Sequence, residues 1–173
     1  LRKKANLSKF EREIPLKANS MRAIDKIIQF RHYLLGRISD LTPQQLNYIP
    51  AGHRNNIIWN LAHMTAVLQV LCYVRSGLAM TIDQTYYTPF LAGTSPEKEM
   101  TPDEIATIKS LFITTANQLA DDYERGIFVD YSKVEKIEQV YHIQVTNIDD
   151  AIEYLLHHEG FHYGCISSLK LHV

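Results

Sequence analysis

Residues 157–164 read His157-His158-Glu159-Gly160-Phe161-His162-Tyr163-Gly164, inside a segment with helical periodicity. Apolar or near-apolar residues recur at three- and four-residue steps through Ala151, Leu155, Cys165 and Leu169, and His158 and His162 take the slots between them. On an α-helix, positions i and i+4 lie one above the other on a single face. Two imidazoles where leucines are expected are candidate metal ligands. A pair of hydrogen-bonded core histidines would give the same pattern, so the decision rests on a third ligand elsewhere in the chain.

Upstream of this stretch, the helix that carries it starts near Asn147 and runs to about Lys170. Residues 127–146 alternate loosely between apolar and polar, with Ile143-Gln144-Val145-Thr146 as a short extended piece. Thr101-Pro102-Asp103-Glu104 signals a helix start: an N-cap, proline at the first position, and glutamate placed for a capping box. The stripe of that helix is Ile105, Ile108, Phe112, Thr115 and Leu119, and it stops near Arg125-Gly126. Residues 78–100 form a long connection with Tyr86-Tyr87, Pro89, Gly93 and Pro96; connections of this length often border functional sites. A further helix begins near Asn55 or Asn56, runs to Arg75 and ends at Gly77, and it is apolar on nearly every side. The first helix runs from about Ala18 to Arg37, with Met21, Ile24, Ile28, Arg31, Leu35 and Ile38 in helical register. Leu41-Thr42-Pro43-Gln44-Gln45-Leu46 adds one short turn, again with proline at its first position.

Four long amphipathic helices, two long connections and no convincing sheet predict an all-α four-helix bundle. Residues 1–16 are expected as an N-terminal arm and 17–173 as one helical domain. The chain starts at Leu1, and the methionine nearest its start is Met21, inside the first predicted helix; no apolar stretch of a signal peptide follows the basic Arg2-Lys3-Lys4.

Composition narrows the class. The 173 residues are 46% hydrophobic, enough for a substantial core, and carry 18 basic against 19 acidic residues for a net charge of -1. That balance offers no electrostatic footprint for nucleic acid or an anionic membrane. No apolar run is expected to reach a membrane span. The only cysteines, Cys72 and Cys165, both fall among apolar neighbours in predicted helices. This fits a reducing compartment, so a cytoplasmic location is expected.

His158-Glu159-Gly160-Phe161-His162 spells H-E-x-x-H, which in zinc peptidases pairs two ligands with a water-activating glutamate. Such enzymes need a third ligand, usually downstream, and the only histidine beyond His162 is His172, at the chain end. The upstream alternative is better placed. His63 lies in the interior of the most apolar helix, and if that helix neighbours the last one, His63 faces His158 and His162. Three neutral imidazoles with open positions suit Zn²⁺, Ni²⁺ or Fe²⁺ and suit Mg²⁺ badly. Glu159 points about 100° of helix rotation away from the ligand face, either as a catalytic candidate or as a packing residue. Asn60, Tyr163 and His157 are further weak candidates, and Trp59, one turn before His63, is expected to pack beside the site.

Asn56-Ile57-Ile58-Trp59-Asn60-Leu61-Ala62-His63, paired with Leu156 through Ile166, resembles the DinB-like (DNA-damage-inducible, YfiT-like) metal-binding bundle family over roughly residues 17–170. The resemblance implies an up-down-down-up four-helix bundle, a homodimer, and a metal triad of His63, His158 and His162. It further implies a small-molecule substrate and an external low-molecular-weight thiol such as bacillithiol or mycothiol, as used by thiol-dependent transferases among its relatives. A metal-dependent hydrolase and a non-catalytic metal-binding protein are the alternatives. The family commonly has arginine after the last ligand and glutamine after the following glycine; here these positions hold Tyr163 and Cys165. No particular anionic substrate is therefore carried over.

Overall fold

The computed structural model describes residues 9–173, with side chains from residue 17 onward, so Arg2-Lys3-Lys4 lies outside the described residues. The described α-helices are α1 (Lys9–Arg37), α2 (Pro43–Asn47), α3 (Ile57–Leu68), α4 (Pro102–Glu124), α5 (Glu135–Tyr141) and α6 (Ile148–Lys170). Helices α1 and α3 each pack on both α4 and α6. The four long helices therefore form a square bundle, with α1 diagonal to α3 and α4 diagonal to α6. This is the expected all-α architecture, and it makes α3 and α6 neighbours.

Local chemistry sets most boundaries. Thr101 caps α4 and Glu104 closes the capping box, with Pro102 in the first turn. Thr42 and Gln45 repeat the device on α2. Asn56 and Asn147 cap α3 and α6. α3 continues through a wider π turn, Gln69–Tyr73, and a 3₁₀ turn, Val74–Ser76, and stops at Gly77, whose φ of 72° suits a residue without a Cβ.

Three expectations need correction. α1 begins at Lys9 instead of near Ala18, and so runs through Pro15. α5 was not expected; its seven residues lack a side-chain N-cap and bury only Ile137, so they offer no stripe to read. The extended piece at 143–146 reduces to one backbone bond, Val134 N–H to Val145 C=O at 3.0 Å. The reading of the apolar runs also changes. The continuous helix Ile57–Ser76 is long and apolar enough to cross a membrane, but it is mostly buried inside the protein. It is apolar all round because it is the core helix.

The core is not one apolar mass. One cluster gathers Ile24, Ile27, Leu68, Cys72, Ala116, Leu119, Ile152 and Leu155. A second gathers Leu34, Ile38, Ile58, Leu61, Met64, Phe112, Ile166 and Leu169. Between them in sequence on their helices lie buried polar residues: Arg31 on α1, Thr115 on α4, Glu159 and His162 on α6. The bundle thus has a polar waist, and the histidines belong to it.

Candidate metal centre

The three histidines converge. One ring nitrogen from each of His63, His158 and His162 can be chosen so that all lie within 4.8 Å of one another. Ring centroids are 4.4 Å apart for His158 and His162, 4.7 Å for His63 and His162, and 5.3 Å for His63 and His158. His63 and His162 are buried, and His158 is half-buried.

Two of the three rings are oriented by bonds that also fix their protons. His63 Nδ1 lies 2.6 Å from the Phe90 carbonyl oxygen. A carbonyl only accepts, so Nδ1 carries the hydrogen and Nε2 keeps its lone pair. His162 Nδ1 lies 2.8 Å from Asn60 Oδ1. The Asn60 amide cannot be turned over, because its Nδ2 donates to the Asn56 carbonyl at 2.7 Å. His162 therefore also carries its hydrogen on Nδ1. Asn56 is fixed in turn: its Nδ2 donates to the Asn47 carbonyl at 2.9 Å and its Oδ1 accepts from Trp59 N–H at 2.8 Å. Asn47 is tied to Met100 through both its Oδ1 and its Nδ2. A relay of three asparagines thus runs from the α4 lead-in to His162. His158 Nδ1, by contrast, is buried without a hydrogen-bond partner.

Trp59 stacks on His63 with centroids 4.7 Å apart and planes 10° apart, and its indole N–H donates to the Pro89 carbonyl at 3.3 Å. The long connection thus holds this pair by consecutive carbonyls, Pro89 and Phe90. Tyr86 and Tyr87 pack against the second core cluster. Tyr86 also lines a cavity of about 360 Å³ with Pro89, Phe90, Met100 and Ile108, and none of the three histidines lines it.

Burial keeps the imidazoles neutral. It pushes His158 down to about 2, helped by His162, His63, Arg31 and His157. It pushes His162 down to about 3, helped by His63. It also lowers His63, against the bond to Phe90. Neutral rings with a lone pair free are what a metal requires of histidine. The buried, unpartnered nitrogen of His158 and the fixed tautomers of the other two make this donor set fit a divalent transition metal.

Glu159 is placed elsewhere. Its Oε1 accepts from Arg31 Nη2 at 2.6 Å and from Arg31 Nε at 3.0 Å, with both residues essentially fully buried. Burial pushes its carboxyl upward and the guanidinium opposes this. Its Oε2 is buried without a partner. His157 is exposed. Tyr163 packs with Phe30 and Tyr33 on the α1–α6 face, at centroid distances of 5.4 and 6.1 Å. Of the weak candidates, only Asn60 touches a ligand histidine directly. Sequence reasoning missed the Phe90 carbonyl, which no side-chain pattern announces. It also missed the role of Arg31, whose signal was a charged residue in an apolar stripe.

The family model described as the DinB superfamily matches residues 26–166, and the chain belongs to that superfamily. Comparison with curated proteins and with solved structures gave no significant match. Fold and site agree with the assignment: a DinB/YfiT-like bundle of four packed helices with a three-histidine cluster between α3 and α6.

Proposed function

We propose that this chain is a metal-dependent enzyme that transfers a low-molecular-weight thiol to an electrophilic small molecule, with His63, His158 and His162 as the metal ligands. The observation that carries the reading is the convergence of three neutral histidine nitrogens within 4.8 Å. A divalent transition metal such as Zn²⁺, Ni²⁺ or Fe²⁺ suits this donor set and, when bound, supplies a Lewis-acid centre that favours the anionic form of a nucleophile.

The thiol comes from outside the chain. Cys72 is fully buried and Cys165 half-buried, both are unpaired, and burial pushes both thiols up, away from the reactive thiolate. In the transfer, the sulfur lone pair forms a bond to the acceptor carbon. The bond to the leaving group breaks with its electron pair on that group, and the thiol proton passes to solvent. The hydrolase alternative needs a base, and Glu159 has its carboxylate engaged by Arg31. A purely structural metal is the remaining alternative. The unpaired cysteines support a reducing, cytoplasmic setting. The exposed Tyr33 beside Phe30 and Tyr163 offers an aromatic strip for a homodimer, which sedimentation equilibrium tests directly.

The deciding experiment assays metal-loaded protein with an electrophilic acceptor, with and without small thiols. Turnover that rises with thiol concentration and vanishes on chelation is expected. Acceptor hydrolysis indifferent to thiol would overturn the transferase reading, and no metal-dependent turnover of any acceptor would favour the structural one.

A further inference from the structure

We propose that Arg31 is the positioning residue of the histidine cluster: by joining all four long helices at one point, its guanidinium fixes the α3–α6 separation on which the convergence of His63, His158 and His162 depends. The inference rests on the metal-site reading above.

Arg31 lies on α1 with no exposed surface. Its Nε and Nη2 donate to Glu159 Oε1 on α6, at 3.0 and 2.6 Å. Nη2 also donates across the bundle diagonal to the Met64 carbonyl on α3, at 3.2 Å. Nη1 donates to the Phe112 carbonyl on α4 at 2.8 Å and lies 3.4 Å from Thr115 Oγ1. The Thr115 hydroxyl donates to the Leu111 carbonyl, which leaves an oxygen lone pair for Arg31. The Phe112 ring lies beneath the guanidinium, 4.5 Å from its carbon.

Two of these partners are chain neighbours of ligand histidines. Met64 follows His63, and Glu159 follows His158. A displaced Met64 carbonyl carries the His63 Cα with it, and a displaced Glu159 carries His158. His162 moves with His158 because one turn of α6 joins them. Convergence of three rings therefore reduces to holding two helices at a set spacing and register, and the planar, rigid fork of Arg31 sets both. Apolar side chains would fill the same volume without fixing directions. Stability alone accounts poorly for the pair, because buried ion pairs are often no better than well-packed hydrophobic replacements.

The test compares wild type with Arg31→Met/Glu159→Leu, which removes both charges together. Chelator-treated protein is examined first, by ¹⁵N imidazole NMR. In wild type the Nδ1 protons of His63 and His162, bonded to Phe90 and Asn60, should exchange slowly. In the double variant they should broaden or vanish while the thermal midpoint stays close to wild type. Cobalt(II) titration follows: affinity should fall by about 10- to 100-fold, the range for lost supporting contacts, with an altered ligand-field spectrum. Retained Nδ1 protons together with unchanged cobalt affinity would overturn the proposal. If wild type binds no cobalt, the metal reading fails, and the imidazole protons still decide the positioning claim. If the double variant does not fold, Phe112→Leu removes the ring under the guanidinium and keeps the main-chain acceptor. It should weaken cobalt binding and speed Nδ1 exchange in the same direction, and no change in either would equally overturn the proposal.

Discussion

Asn60 determines which nitrogen of His162 can bind a metal. Its Oδ1 holds the His162 proton on Nδ1, and Asn56 prevents the amide from flipping. Replacing Asn60 with leucine frees the ring to take its other tautomer and to rotate. We expect zinc affinity, measured by competition with a chelator, to fall about 10- to 100-fold. Unchanged affinity would show that the relay is not needed. The lowered histidines give a pH prediction. Unfolded histidine titrates near ~6.5, whereas burial holds His158 down to about 2 and His162 down to about 3 in the folded chain. Below pH ~6.5 the unfolded state binds protons that the folded state refuses, so stability falls as pH falls. Chelated protein should have a flat unfolding free energy above pH ~7 and a declining one from ~6.5 to ~5, before carboxylates contribute. His158→Gln should make that decline shallower. A wild-type profile flat down to pH ~5 would contradict the burial argument.

The elements divide into those with autonomous signals and those without. The capping box of α4 was legible because Thr101-Pro102-Asp103-Glu104 is a local device. The ligand face of α6 was legible because 3.6-residue periodicity placed His158 and His162 in apolar slots, whereas α3, apolar on nearly every side, showed only that His63 was interior. That α3 neighbours α6 was an assumption, since nothing local encodes which helices pack. α5 was illegible because a seven-residue helix with one buried side chain is formed by its surroundings. Arg31 was visible in its stripe, but its partner was not, since Glu159 lies on another helix 128 residues away and no local pattern links the two. The α4 cap supplies a control. Thr101→Ala should cost about 1 kcal/mol in denaturant unfolding. It should leave zinc affinity unchanged, because the exposed Thr101 side chain bonds only the Glu104 N–H and touches none of the residues that orient the histidines. A parallel loss of affinity would mean that the site reports global stability and not local geometry.

At the scale of the molecule, the polar waist makes the fold sensitive to unbalanced charge. Glu159→Leu alone leaves the Arg31 cation buried among carbonyls. Removing one partner of a buried pair typically costs about 3–5 kcal/mol, a large part of an ordinary domain's stability. The single variant should therefore unfold at markedly lower denaturant than Arg31→Met/Glu159→Leu; equal midpoints would show that water reaches the cation. The square order of helices has another consequence, for synthesis. α1 and α3 leave the ribosome first, yet they stand on a diagonal, and each packs on α4 and α6. α1 and α3 form no hairpin with each other, so the earliest packed pair of successive long helices is α3 with α4. The most apolar helix of the chain, Ile57–Ser76, thus emerges without either of its long-helix neighbours and stays uncovered until α4 follows. A nascent chain stalled just beyond Gly77 should be strongly protease-sensitive and held by hydrophobe-binding chaperones. Release from them should begin only once residues through Glu124 have cleared the exit tunnel.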